Sequence, residues 1–267
     1  MSYVPLTPLD LLLAGALLVI NAAISWAFRL QLERSIAVAV VRMVLQLALV
    51  ALVLKFIFAQ NSPLWTALVA LVMVAAAGIE VVSRQHRRFR GWRAWGFSTA
   101  TLLFIGMAIT GLGVGAIIGP DPWYAPRFIL PILGMVLGNS MTAMSLVFDT
   151  FTEAVTRERA GIEARLALGA DRFEALSGAL NTALRTGMLP ILNSMATTGI
   201  VALPGMMTGQ ILAGIDPVDA AKYQVLILLL IASATALGSL LGALGAVLLV
   251  TDSRHRLRLD RVAAPRT

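Results

Sequence analysis

The chain has 267 residues, of which 58% are hydrophobic and 13% charged; its net charge is +7 and it has no cysteine. A soluble domain is about 45–50% apolar and about 25% charged, so this composition belongs to an integral membrane protein. The lack of cysteine excludes disulfides and thiolate metal sites, and basic residues placed between apolar runs point to membrane topology and lipid rather than to nucleic acid.

A hydrocarbon core of about 30 Å takes roughly 20 helical residues to cross. Seven runs qualify, at about residues 7–28, 36–58, 63–83, 95–118, 128–148, 187–212 and 222–250. Pro8 and Pro63 open the first and third runs, where a missing N–H costs little. No positive charge precedes the first run and no clear small-residue cleavage site follows, so it is expected as a retained span and not as a removed signal peptide. The expected fold is all-α, a polytopic transmembrane helix bundle of about seven spans, forming one domain over residues 1–267.

Lys and Arg set the orientation. Of 21 basic residues, 17 fall on one side, in the connections and the tail, and three (Lys55, Arg127 and Lys222) on the other; Arg42 lies within a span. That bias places the N-terminus outside and the C-terminus in the cytoplasm. Trp26, Trp65, Trp92, Trp95 and Trp123 fall at span ends, as do Tyr124 and Tyr223, and such rings prefer the headgroup zone. Ala234, Gly238, Gly242 and Ala246 recur every four residues on the seventh span, and Gly106, Gly111, Gly113 and Gly115 crowd the fourth. Small residues let helices approach closely in lipid, either within a subunit or between two copies.

Residues 149–186 form a charged, amphipathic elbow on the cytoplasmic side. Thr150 with Glu153 has capping-box spacing, the alternative being that the fifth span continues through it; Gly169 interrupts the helix, and Asp171 with Glu174 restarts it. Such an elbow suits either a connector whose arginines meet anionic headgroups or a docking helix for a cytoplasmic motor.

The segment EARLALG (Glu163, Ala164, Arg165 to Gly169) resembles the EAA---G signature of ABC transporter permeases, with Arg in the third place. The wider stretch carries GMVLGNSM (134–141), Pro190, Asn193, LPGMMTGQILAG (203–214), Asp216-Pro217 and Tyr223-Gln224 in order. Together these resemble the FetB-type permease family, associated with iron export in bacteria and aluminium tolerance in plants. The resemblance implies a permease domain in the bacterial inner membrane, a permease homodimer, and a FetA-like cytoplasmic ABC ATPase docked at Glu163, Ala164, Arg165 and Gly169. It also implies that ATP and magnesium are held by that ATPase. This chain has no Walker A loop: its two lysines, Lys55 and Lys222, are followed by Phe56 and Tyr223 rather than by Ser or Thr. The chain is therefore expected not to be an enzyme itself.

Within LPGMMTGQ, Pro204, Gly205 and Gly209 are expected to break the sixth span, and broken helices in transporters offer backbone groups to ligands. With Asn139, Ser140, Asn193 and Gln210 they outline a candidate substrate path. Met206 and Met207 belong to it as thioethers, which favour soft metals, or as gap-fillers. Interhelical hydrogen bonding is the plainer role for the amides. Arg42, about six residues into the second span and so roughly 9 Å deep, and Glu80 in the third lie at similar depth, which favours an intramembrane pair. His86 and His255 have no second ligand at metal-site spacing and are expected at the surface. One carboxylate and a few amides make a poor cage for a hard cation, so a transient path or a chelated substrate fits better. A secondary transporter or channel is the alternative, although such coupling uses membrane carboxylates that this chain nearly lacks. A non-transporting scaffold is a third.

Overall fold

Backbone groups inside lipid must be satisfied internally, and in the computed structural model the long apolar runs are all helical. The structure describes residues 7–264 apart from 30, 32, 84, 86 and 90, so His86 lies outside the described residues. The chain divides into two compact units, one ending at Asn61 and the other beginning at Ser62.

The first unit pairs α1 (Pro8–Ala27) with α2 (Glu33–Gln60). Thr7 and Asp10 make a complete capping box: Asp10 N donates to Thr7 Oγ1 at 3.4 Å, and Thr7 N donates to Asp10 Oδ2 at 2.8 Å.

The second unit comprises α3 (Pro63–Ser83), α4 (Trp92–Thr110) with a π-helical extension (Gly111–Ile118), α5 (Pro126–Arg157), α6 (Arg159–Ala167), α7 (Arg172–Ala175), α8 (Ser177–Thr197), α9 (Gly205–Leu212) and α10 (Pro217–Val250). Helix α10 is apolar on every side and packs against α4, α5, α8 and α9, while α5 also packs against α3, α4 and α8. Among the described residues, five helices are long and apolar enough to cross a membrane: α2, α3, α4 with its extension, α5 and α10. In α1 the apolar stretch is shorter, Leu12–Ala27.

Three boundaries differ from the sequence expectation. Helix α5 runs on to Arg157, because Phe148, Phe151, Thr152, Ala154 and Val155 continue its buried stripe past the apolar run. Thr150 is therefore inside a helix and caps nothing. Helix α8 begins at Ser177, ten residues before the expected start at Gly187, and its length of 21 residues spans about 31 Å at 1.5 Å per residue. The interruption of the sixth run falls at residues 198–204, and Gly205–Leu212 is helical. Pro204 is the residue just before α9, extended at φ −62° and ψ 141°, where a proline ring fits without breaking a ladder.

Glycine sets the closest approaches, and these lie within the chain. A Cβ on Gly238 would meet Ser140 Cβ at 3.3 Å, and one on Gly242 would meet Met144 Cγ at 3.0 Å. The small-residue face of α10 is thus filled by α5.

The two ends of the second unit are distinguished by contacts. The tail after α10 folds back: Arg258 N donates to Val250 O at 2.7 Å, and Ala263 N donates to Arg88 O at 2.7 Å in the α3–α4 loop. Arg172 N at the start of α7 donates to His255 Nδ1 at 3.2 Å. The C-terminal ends of α3, α5 and α10 therefore share one end with α6 and α7. Beneath them, Phe148, Phe151, Val155, Ile162, Leu176 and Val250 belong to one buried cluster. A second cluster, with Ile105, Val114, Ile132, Ile191, Ile227 and Ile231, lies toward the opposite end.

Candidate docking elbow and translocation cleft

The elbow is built on buried Ile162 and Leu176, which are nearly inaccessible, with Leu166 half-buried beside them. Helix α6 ends in a Schellman turn: Gly169 N donates to Leu166 O and Ala170 N to Arg165 O, both at 3.1 Å. Gly169 holds φ at +95°, a conformation that a side chain disfavours. The next helix starts at Asp171, whose Oδ1 accepts from Phe173 N at 2.6 Å and Glu174 N at 2.9 Å. Those backbone donors, Glu174 first, hold the Asp171 carboxyl below its ordinary range.

With its inner face anchored, α6 presents Glu163, Ala164, Arg165 and Gly169 to solvent, and Leu168 at its tip is 89% exposed. Glu163 Oε1 accepts from Arg159 Nε at 2.8 Å, an exposed pair one turn apart. Arg165 Nη1 donates to Ala175 O at 3.1 Å, so Arg165 also braces α6 against α7. A short rigid helix is thus held out from the end of the bundle, with an apolar residue at its tip and opposite charges along its side.

At the other end, a cleft of about 490 Å³ opens between α5, α9 and α10. Its walls include Pro131 and Met135 of α5, Met206 and Gln210 of α9, and Tyr223 of α10, with Arg127 at the start of α5. Among the described residues lining it, Arg127 alone carries a charge. Gln210 Oε1 is buried without a hydrogen-bond partner.

Two of the expected path residues, Met206 and Gln210, therefore meet in this cleft. Asn139 lies one turn below Met135 and donates to its carbonyl at 2.8 Å. Ser140 is buried on α5 with no partner for its hydroxyl. Pro204, Gly205, Met207 and Gly209 belong to α9 or its N-terminal approach and do not line the cleft. Asn193 is exposed on α8 together with Asn181, Thr182 and Arg185, a polar stripe that Leu189 and Leu192, also exposed, interrupt. Arg127, Met135, Tyr223 and Arg185 were not singled out from sequence as path residues. Arg127 and Tyr223 look like ordinary interfacial anchors in the sequence, and nothing local marks their convergence.

Arg42 lies on α2 in the first unit and Glu80 on α3 in the second, so their pairing stands on the sequence argument. His255 is exposed. No group of three or more His, Cys, Asp or Glu that could hold a metal gathers among the described residues.

The model of a family described as "Uncharacterised protein family (UPF0014)" matches residues 8–249. The chain belongs to this family. Its relatives include "Probable iron export permease protein FetB" of Escherichia coli, 32% identical, the match covering 93% of each chain. The UPF0014 membrane protein YjkA of Bacillus subtilis is 34% identical over 82% of this chain and 85% of its own. The Arabidopsis thaliana protein ALUMINUM SENSITIVE 3 is 32% identical over 85% of this chain and 82% of its own. No solved structure matches. Family membership agrees with the resemblance found in the sequence and makes this a polytopic membrane protein, related to a chain named as a probable permease.

Proposed function

We propose that this chain is the membrane-spanning subunit of an ABC exporter for iron or a related metal. Two copies would work with two cytoplasmic FetA-like ATPases in the bacterial inner membrane. ATP and magnesium would be bound on the ATPase, and this chain would supply the path. The observation that carries the reading is α6. Its inner face is locked by Ile162 and Leu166, its outer face is unoccupied by the rest of the chain, and it carries the signature residues at Glu163, Ala164 and Gly169. The name of the E. coli relative supports the cargo.

The seven-span count is part of the same reading. The starts of α5 and α10 border one cleft, and the C-terminal ends of both lie at the elbow and tail. The chain leaving the elbow at Ser177 must return to the cleft end by Met206, so α8 with α9 makes a crossing. Its hydropathy is low because Asn181, Thr182, Arg185 and Asn193 are polar. Exposed to lipid these groups would be costly, which favours a wet path between two permease copies. The test is co-purification with a candidate FetA-like ATPase, followed by iron efflux from loaded cells. Absence of both an ATPase complex and any change in cell iron would overturn the reading.

A further inference from the structure

We propose that the metal crosses this permease as an anionic chelate, anchored by guanidinium groups, and not as a bare cation. This rests on the exporter reading and specifies its cargo. The charge lining the cleft is of one sign. Arg127 is the charged group of the cleft, and Arg185 is exposed on the polar stripe of α8 nearer the elbow. From Ala175 to Ile215 the chain has no Asp or Glu at all. No carboxylate lines the cleft; at its rim Asp216 Oδ1 accepts from Val218 N at 2.9 Å and Asp219 pairs with Lys222 at 2.8 Å, while Asp121 lies in the loop between Ile118 and Arg127.

Within the cleft a naked multivalent cation would meet the Arg127 guanidinium and no lining carboxylate, which opposes coordination there. The thioethers of Met135 and Met206 are soft donors and poor partners for ferric iron. A hydroxycarboxylate complex of the metal reverses each of these terms. Its carboxylates accept from Arg127 in the fork geometry that guanidinium favours. The Gln210 side chain and the Tyr223 hydroxyl on the cleft wall are further polar groups for the complex. The positive end of α5, whose first turn lines the cleft, adds to the preference for an anion.

The experiment places the full chain in phosphatidylcholine nanodiscs and measures equilibrium binding of iron-55 ferric citrate. Saturable binding is expected. Arg127→Ala should weaken it about ten-fold or more, the worth of a charge-assisted hydrogen bond, while Arg127→Lys keeps part of it. Unchanged thermal unfolding of the variants separates this loss from misfolding. Ferrous aqua ion, held reduced, should compete poorly. Equal or tighter binding of ferrous ion would overturn the chelate, as would full ferric citrate binding by Arg127→Ala. Loss of ferric citrate binding when a fifth of the lipid is phosphatidylglycerol would make the cleft a headgroup seat instead. A chain that captures its ATPase and lowers cell iron, yet binds the bare ion as well, keeps the exporter reading and loses only the chelate. A chain that does neither loses both.

Discussion

Single glycines in this chain do three different things, and only the coordinates separate them. Gly169 is required for its backbone: φ is +95° and nothing lies within 4 Å of a Cβ built there. A β-branched side chain at that position costs roughly 1 kcal/mol or more through conformation alone. Gly169→Val should therefore lower capture of the ATPase at matched membrane levels, and Gly169→Asn, which tolerates this region, should lower it less. Equal capture by both variants would show the turn to be only a connector. Gly187 is required for space, since its Cβ would sit 3.1 Å from the Ala143 carbonyl oxygen and 3.0 Å from Ser239 Oγ. Gly187→Val should push α8 from α5 and cost about 1–3 kcal/mol, read as a lower unfolding temperature in detergent. Gly178 has open space around it and an ordinary helical backbone, so Gly178→Ala should be neutral or stabilising by a few tenths of a kcal/mol, and a comparable loss at both positions would refute the distinction. The break at Gly169 and the cap at Asp171 were legible in the sequence, because both depend on the residue and its immediate neighbours. The crowding at Gly187 was not, because Ala143 and Ser239 are 44 and 52 residues away along the chain.

At the scale of elements, the misplaced features share a cause. Asn181, Thr182 and Arg185 make the first half of α8 look like a soluble connector, although it is a helix beginning at Ser177. Pro204 and Gly205 look like a break inside a helix, but the pair is the start of one, and the unwound stretch precedes it. In both cases polarity or a breaker was read locally while tertiary packing set the boundary. The tail shows the same limit. Leu257, Leu259 and Val262 alternate with charged residues, and this short pattern is enough to fold the tail back onto α10 and the α3–α4 loop. Asp252 organises the turn: its carboxylate accepts from the backbone N–H groups of Arg256 and Arg254 and from the Arg256 guanidinium. These donors, the Arg256 backbone N–H first, lower its pKa from 3.8 to about 2. A depressed folded value means that this contribution is fully present above the unfolded value and is lost as pH falls through about 2. Hydrogen-exchange protection of the tail amides, corrected for intrinsic rate, should therefore hold from pH 8 to pH 5. Asp252→Asn should weaken it across that whole range. Tail protection that halves between pH 7 and pH 5 would rule out Asp252 as the organising group.

At the scale of the whole molecule, the crossing of α8 decides the topology, and the chain is well suited to a direct test because it has no native cysteine. Counting only the helices that are long and apolar gives five crossings among the described residues and omits α1 and the α8–α9 pair. Counting those two as well gives seven. The two counts place the same residues on opposite sides of the membrane. With seven crossings, Leu9, Trp123 and Val218 are outside, whereas Leu168 and Ser253 are in the cytoplasm. With five, Leu9 and Val218 move to the cytoplasm and Ser253 moves outside. The folded-back tail favours a crossing by α8 and α9, because the hydrogen bonds from Ala263 to Arg88 and from Arg172 to His255 require the tail, the α3–α4 loop and the elbow to share one side. The Lys and Arg bias assigns that shared side to the cytoplasm. Each of these five positions is exposed, or in the case of Ser253 lies in an exposed turn, so single cysteines there should react without unfolding the chain. A membrane-impermeant maleimide applied to intact spheroplasts should label Leu9→Cys, Trp123→Cys and Val218→Cys. Leu168→Cys and Ser253→Cys should react only after permeabilisation. Labelling of Ser253→Cys from outside, together with protection of Val218→Cys, would remove α8 as a crossing and with it the polar path assigned to its exposed face.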